Sequence, residues 1–373
     1  MTKLVTVMGT RPEIIRLSRI IPVLDKYFDH IVIHTGQNYD YELSQVFFDQ
    51  LRLREPNINL NVAGGSTMEV IGKVLSRVDD IFAAEKPDAL LILGDTNSAL
   101  SAIAAKRRKI PVFHMEAGNR CFDDRVPEEI NRRIVDHVSE INLTYSKIAR
   151  ENLLREGLSP DRVIVTGSPL KEVLYYYLPE IQASKVLEDL AVERGSYFVV
   201  SAHREEVVDC DAMFSKLISI LNFLVEEYRL PVLFSTHPRT RKRIEFSTVV
   251  PDKKIVFLKP LDFCSYLRLQ IDARVVLSDS GTITEESSLL NFPALNLRET
   301  HERQEGMEEA AVMMVGMDIK RVKVALAILK DQRRGDARSL NPVSDYDLEN
   351  VSEKIVRIIN SYINYVNRVV WGG

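Results

Sequence analysis

Short apolar runs recur along this chain, each closed by polar turn residues and followed by a segment of helical spacing. Residues 4–8, 31–35, 89–93, 112–115 and 163–166 read as buried strands, with helical stretches such as 13–26 and 67–84 between them. Strict alternation of this kind predicts a parallel sheet with helices on both faces. The pattern restarts at 197–201 and continues through 232–235, 254–257, 275–277 and 294–297. A chain of 373 residues is long for one core. The expectation is therefore an α/β protein of two Rossmann-like lobes, residues 1–168 and 169–349, with a ligand cleft between them. The break falls near Gly167-Ser168-Pro169, where glycine and proline punctuate. The last segment, 348–370, has helical spacing and no lobe of its own, so residues 350–373 are expected to pack back on the first lobe.

Composition narrows the partners. Net charge is −4, which gives no reason to expect nucleic acid or an anionic membrane surface. No apolar run reaches the roughly 20 residues of a membrane-spanning helix. The start MTKLVTVMGTRPE reads as a strand entering a loop, not as a signal peptide. Cys121, Cys210 and Cys264 are scattered and odd in number, which fits a reduced cytoplasm without a disulfide framework or zinc site.

In open parallel sheets, ligands bind where strands end and helices begin. Several such junctions here carry residues suited to chemistry. Gly9-Thr10-Arg11-Pro12-Glu13 follows the first strand. It offers free N–H groups and a guanidinium to an anion, or is an ordinary turn with a surface arginine. Gly94-Asp95-Thr96-Asn97-Ser98 places Asp95 at a strand end, either as an acid or as a helix cap. In His114-Met115-Glu116-Ala117-Gly118-Asn119-Arg120, an extended backbone puts His114 and Glu116 on one side. Glu116 is then a general acid–base group, or half of a structural ion pair with Arg120. Glu128 opens the helix at Pro127-Glu128-Glu129, where an acid also suits the helix dipole. Several acids without a His/Cys cluster suggest proton transfer at carbon or oxygen.

In the second half, Ser201-Ala202-His203-Arg204 and Ser235-Thr236-His237-Pro238-Arg239 each close a strand with a histidine and a cation. Ser280-Gly281-Thr282 then opens a helix whose N–H groups suit phosphate. Glu285 or Glu286, one turn on, is placed to accept ribose hydroxyls; Arg298, Glu302 and Arg303 follow the next strand. The three junctions together favour a nucleotide-diphosphate pocket. The stretch 304–315, with its methionines, reads as packing.

Taken in order and spacing, GTRPE (9–13), HTGQ (34–37), GDTNS (94–98), HMEAGNR (114–120), PEEINRR (127–133), TGSP (166–169), AHRE (202–205), HP (237–238) and SDSGTITEE (278–286) resemble the non-hydrolysing UDP-N-acetylglucosamine 2-epimerase family across nearly the whole chain. The resemblance implies a fold like the GT-B glycosyltransferases and a cytoplasmic homodimer acting on a UDP-sugar. It implies elimination and re-addition of UDP without metal or other cofactor. Asp95, Glu116, Glu128 and His203 would be catalytic. Arg11, Arg16, Arg132, His237, Ser280, Gly281, Thr282, Glu286 and Arg303 would bind UDP and sugar. The wording is most similar to the branch that forms UDP-N-acetyl-L-fucosamine from UDP-2-acetamido-2,6-dideoxy-L-talose for capsule or O-antigen synthesis. Arg16, Gly65, Glu205, Val207 and a short segment between Glu116 and Pro127 all depart from the UDP-GlcNAc pattern. A GT-B glycosyltransferase and a nucleotide-sugar sensor are the competing classes.

Overall fold

The computed structural model describes residues 1–36, 45–236, 240, 243–244 and 249–372. They form two compact units, one of residues 1–175 and 345–373, the other of residues 176–344.

The strands of the first unit are β1 Lys3–Met8, β2 Asp29–His34, β3 Ile58–Asn59, β4 Ala89–Leu93, β5 Val112–Ala117, β6 Ile141–Thr144 and β7 Val163–Val165. They make a seven-stranded parallel sheet in the order β3-β2-β1-β4-β5-β6-β7. Burial on both faces explains why the strands read as continuous apolar runs. Val5, Val7, Leu90, Ile92 and Val112 pack with Val74, Val78 and Phe82 of the helix Thr67–Glu85. The alternating Leu4, Leu91 and Phe113 are equally buried on the opposite side.

The second unit repeats the topology. Its strands are β8 Phe198–Ser201, β9 Val232–Ser235, β10 Ile255–Leu258, β11 Val275–Ser278, β12 Ala294–Asn296 and β13 Met313–Met314. Their six-stranded sheet runs β10-β9-β8-β11-β12-β13. Phe198, Val200 and Leu277 pack with Leu217 and Leu221 of the helix Asp211–Tyr228. Tyr197, Val199 and Val276 pack with Leu269 and Ile283 on the other face. Each sheet therefore reverses direction once, between β1 and β4 and between β8 and β11. Those are the switch points at which doubly wound sheets bind ligands.

The helix expected over 13–26 is two helices, Arg11–Leu17 and Ile21–Tyr27. Pro22 lies in the first turn of the second; it has no N–H and its ring clashes with a preceding turn. Strand β6 was not expected, because Asn142 and Thr144 interrupt its apolar run. Asn142 is tolerated inside because its amide donates to the Asp136 carbonyl. Edge strands β3 and β13 are too short to show a period, and β13 lies within the stretch read only as packing. All but the last residue of the helix Leu170–Tyr176 fall in the first unit, where Lys171 pairs with Asp347 and Glu349 and Glu172 accepts from the Ser352 N–H. The C-terminal helix Val351–Val370 buries Val351, Ile355, Ile359, Ile363 and Val366, one stripe at helical spacing. It lies in the first unit, against the helix Ile21–Tyr27.

Candidate active site

At the first switch point, Thr10 and Glu13 follow β1 with the spacing of a capping box. Glu13 is buried, and its Oε2 accepts from the N–H of Gly9 (3.1 Å), the N–H of Thr10 (2.8 Å) and the Thr10 hydroxyl (2.7 Å). Its Oε1 accepts from the Thr96 hydroxyl at 3.2 Å, which ties the loop after β1 to the loop after β4. Burial pushes this carboxyl up to about 7 against the pull of the four donors. Arg11 is exposed, with its guanidinium 5.6 Å from the centre of the Phe47 ring.

Asp95 does not cap the short helix after β4; Thr96 does, accepting from the Ser98 N–H. The Asp95 carboxylate instead takes two N–H groups of Arg132, at 2.6 and 3.0 Å, and keeps about a quarter of its side chain exposed. Asn131 donates to the Asp95 carbonyl, so the helix Pro127–Val138 holds this turn twice. Of the two acids in its first turn, Glu129 is fully buried. It accepts from the N–H groups of Cys121 and Phe122 and pairs with Arg132 and Arg133. Glu128 is half-buried beside it.

Glu116 departs from the extended backbone expected for it. The register of β5 on β6 shifts between Met115 and Ala117, and Glu116 takes φ +65°. A non-glycine residue there is strained, and such strain gathers at functional sites. His114 and Glu116 consequently have different surroundings. His114 is fully buried, with Nε2 2.8 Å from the Gly94 carbonyl and Nδ1 2.9 Å from Asp136. Glu116 is partly exposed; Asn119 donates to it at 3.4 Å and the Arg16 Nε lies 3.9 Å away. A Cβ built on Gly94 would stand 3.8 Å from the Glu116 carboxylate, so this acid abuts the Gly94-Asp95 turn. Arg120 pairs with Asp136 and Glu156, which answers the ion-pair alternative for Glu116. Arg16 is buried, with its guanidinium over the Tyr145 ring.

At the second switch point, Asp279 after β11 is fully buried and accepts from the N–H groups of His203 (2.8 Å) and Arg204 (2.9 Å) after β8. Burial raises this carboxyl, but the His203 ring and the two N–H groups outweigh it and hold it below the ordinary aspartate range. His203 Nδ1 lies 3.2 Å from Asp279 Oδ1, with the ring nearly half-exposed. Arg204 donates to Glu302, which also pairs with Arg298. Ser280 and Thr282 hydroxyls meet at 3.0 Å around Gly281, at the start of the helix Thr282–Leu290. Glu285 and Glu286 differ in place. Glu285 is buried and pairs with Arg303 at 3.0 Å, while Glu286 is half-buried and accepts from Gln270. Arg303 is itself buried and donates to the Gly281 carbonyl. His237 lies outside the described residues.

The structure thus gathers Asp95, Glu116, Arg16 and Arg132 at one switch point, and His203, Ser280, Gly281, Thr282 and Arg303 at the other. Sequence reasoning gave no site role to Glu13, Glu129 or Asp279, although all three lie within the motifs at 9–13, 127–133 and 278–286. The T-x-x-E spacing after β1 was the available signal for Glu13. Among the described residues no group of three or more His, Cys, Asp or Glu side chains is placed to hold a metal ion, and no helix is long and apolar enough to cross a membrane.

Comparison with known proteins agrees with this fold. The family profile of UDP-N-acetylglucosamine 2-epimerase matches residues 24–360. A solved UDP-N-acetylglucosamine 2-epimerase from Rickettsia bellii superposes with a TM-score of 0.94 at 48% identity, covering 100% of both chains. The Methanocaldococcus jannaschii enzyme of that name is 35% identical over 366 residues, 96% of this chain and 98% of that one. Its structure in complex with UDP-GlcNAc and UDP gives a TM-score of 0.89 at 34% identity, covering 96% of this chain and 100% of that chain.

Proposed function

The chain belongs to the UDP-N-acetylglucosamine 2-epimerase family, and we propose that it inverts C2 of a UDP-2-acetamido sugar by eliminating and re-adding UDP. The C2 hydrogen of such a sugar has no adjacent carbonyl to hold a carbanion, so direct deprotonation is a poor route. Breaking the C1–O bond sends its electron pair to the diphosphate, while loss of the C2 proton leaves a 2-acetamidoglycal. Return of a proton to the opposite face of C2 and re-addition of UDP complete the inversion. Such chemistry needs acids on the sugar and cations or N–H donors on the leaving group.

The observation that carries the reading is the pair of carboxylates at the first switch point, Glu116 abutting the turn of Asp95. With Glu128 they are the proton-transfer groups; Arg132 keeps Asp95 in place and Arg16 faces Glu116. In the second unit, His203, Ser280, Gly281 and Thr282 take the diphosphate and Glu286 the ribose, with His237 assigned on its motif. Arg303, held by Glu285, acts through the Gly281 carbonyl. Arg11 contributes its charge to the leaving diphosphate.

For the sugar, we infer UDP-2-acetamido-2,6-dideoxy-L-talose, giving UDP-N-acetyl-L-fucosamine for capsule or O-antigen synthesis, on the strength of Arg16, Gly65, Glu205 and the short 116–127 segment. The names of the relatives favour UDP-GlcNAc, interconverted with its C2 epimer UDP-ManNAc, as the second reading. A cytoplasmic homodimer is part of the proposal, and light scattering tests its stoichiometry. The deciding experiment incubates purified protein in D2O with each UDP-sugar and no acceptor, and follows it by NMR. Epimer carrying deuterium at C2 is expected; epimer without label refutes solvent-exchanging elimination. Comparable kcat/KM for UDP-GlcNAc and UDP-ManNAc, with none for the talose sugar, refutes the L-fucosamine assignment.

A further inference from the structure

One buried acceptor at the second switch point has, among the described residues, a single side-chain donor beside it. Asp279 Oδ2 takes the backbone N–H groups of His203 and Arg204. Its Oδ1, equally buried, has no hydrogen-bond donor in good line among the described residues. The His203 Nδ1 stands 3.2 Å from it. A carboxylate oxygen cut off from water demands a donor. The contact is within hydrogen-bond distance though not aligned as one, and the His203 ring, nearly half-exposed, is not locked by packing on all sides. The backbone clamp through Oδ2 holds Oδ1 on the side of the ring.

Resting on the reading that His203 serves the leaving diphosphate, we propose that Asp279 is a positioning residue that fixes the Nδ1–H of His203 and so reserves Nε2 for the proton exchanged with UDP. As the C1–O bond breaks, the oxygen of the β-phosphate takes the electron pair and Nε2 gives that oxygen its proton. The ring is left neutral with Nδ1–H still on Asp279. Re-addition of UDP returns the proton to Nε2, so the cycle is balanced without any co-reactant. An asparagine in place of Asp279 keeps an oxygen for the two backbone N–H groups but turns an N–H toward Nδ1. The neutral ring then carries its proton on Nε2 and accepts at Nδ1. It can still donate a hydrogen bond to the diphosphate, but it cannot release that proton without becoming an anion.

The test is a double-mutant cycle on the full chain, with kcat and UDP affinity measured for Asp279→Asn, His203→Gln and both together. Asp279→Asn is expected to lower kcat about 10²-fold with UDP affinity nearly unchanged. On the His203→Gln background the same change should cost less than about threefold. Equal costs on both backgrounds overturn the proposal and leave the epimerase reading standing. A His203→Gln enzyme with wild-type kcat removes His203 from the chemistry and overturns the proposal together with that part of the proposed function. If Asp279→Asn does not fold, the wild-type chain decides by ring-nitrogen NMR. Neutral His203 as the Nδ1–H tautomer supports the assignment, and the Nε2–H tautomer overturns it.

Discussion

Replacing Glu13 by glutamine should remove a pH dependence of stability that the structure assigns to one carboxyl. Glu13 is buried, its acceptor oxygens are met by neutral donors only, and burial lifts its pKa from 4.5 to about 7. Below 4.5 both folded and unfolded chains hold the proton and nothing is lost. Between 4.5 and 7 the unfolded chain releases it while the folded chain keeps it, so stability falls as pH rises; above 7 the loss is complete. That rise corresponds to about 3 kcal/mol, most of it developing between pH 5 and 8. The glutamine amide has no such proton. The stability of wild type minus that of Glu13→Gln should therefore fall by about 2–3 kcal/mol from pH 5 to pH 8, whatever the offset from altered hydrogen bonds. Trp371 is the chain's single tryptophan, belongs to the first unit and lies under Lys106, so its fluorescence during urea unfolding reports on the right unit. A difference that does not change with pH would mean that Glu13 ionises as freely folded as unfolded, and would refute the argument.

Three further outcomes are expected. Glu116→Gly should be about 1 kcal/mol more stable than Glu116→Ala, because alanine keeps the left-handed strain at φ +65° and glycine does not; equal stabilities by denaturant unfolding would contradict the strain. Glu285→Gln should cost about 1–3 kcal/mol by removing the carboxylate 3.0 Å from the buried Arg303 guanidinium, read as a lowered melting temperature and a weakened UDP affinity. Ile359→Ala in the C-terminal helix should cost about 2–5 kcal/mol by opening a cavity in the first unit, with catalytic parameters at permissive temperature unchanged.

The central strands of both sheets were legible because they are buried on both faces and so read as unbroken apolar runs. Ala89–Leu93 shows this most plainly, all five positions being buried. Elements fixed by tertiary partners were not. Strand β6 contains two polar residues that its neighbours satisfy, and no local period signals that. The division of labour between adjacent acids was equally hidden. Glu128 and Glu129, or Glu285 and Glu286, are one residue apart and equivalent as sequence. Which one is buried depends on where the helix meets an arginine, Arg132 in one case and Arg303 in the other. The bulge at Glu116 escaped for a related reason, since a positive φ at a non-glycine residue is imposed by the surrounding fold.

Both switch points are closed by a buried carboxylate that accepts hydrogen bonds across the gap between the two central strand ends, Glu13 in the first unit and Asp279 in the second. The roles are exchanged. Glu13 comes from the segment after the first strand of its unit and reaches Thr96 after the fourth, whereas Asp279 comes from the segment after the fourth and reaches His203 and Arg204 after the first. Their electrostatics diverge for a reason visible in their partners. Glu13 meets hydroxyls and amides, which carry no charge, so desolvation wins and the proton is held to about 7. Asp279 meets an imidazole as well, and its carboxyl stays below the ordinary range. Below about pH 7 the Glu13 clamp adds no negative charge beside the Asp95 turn, whose acids take up a proton in the proposed mechanism. A charged clamp beside His203 stabilises the ring that, in the proposed mechanism, gives one to a diphosphate. The same architectural device therefore suits carboxylate chemistry in one unit and anion chemistry in the other, by a choice of neighbours alone.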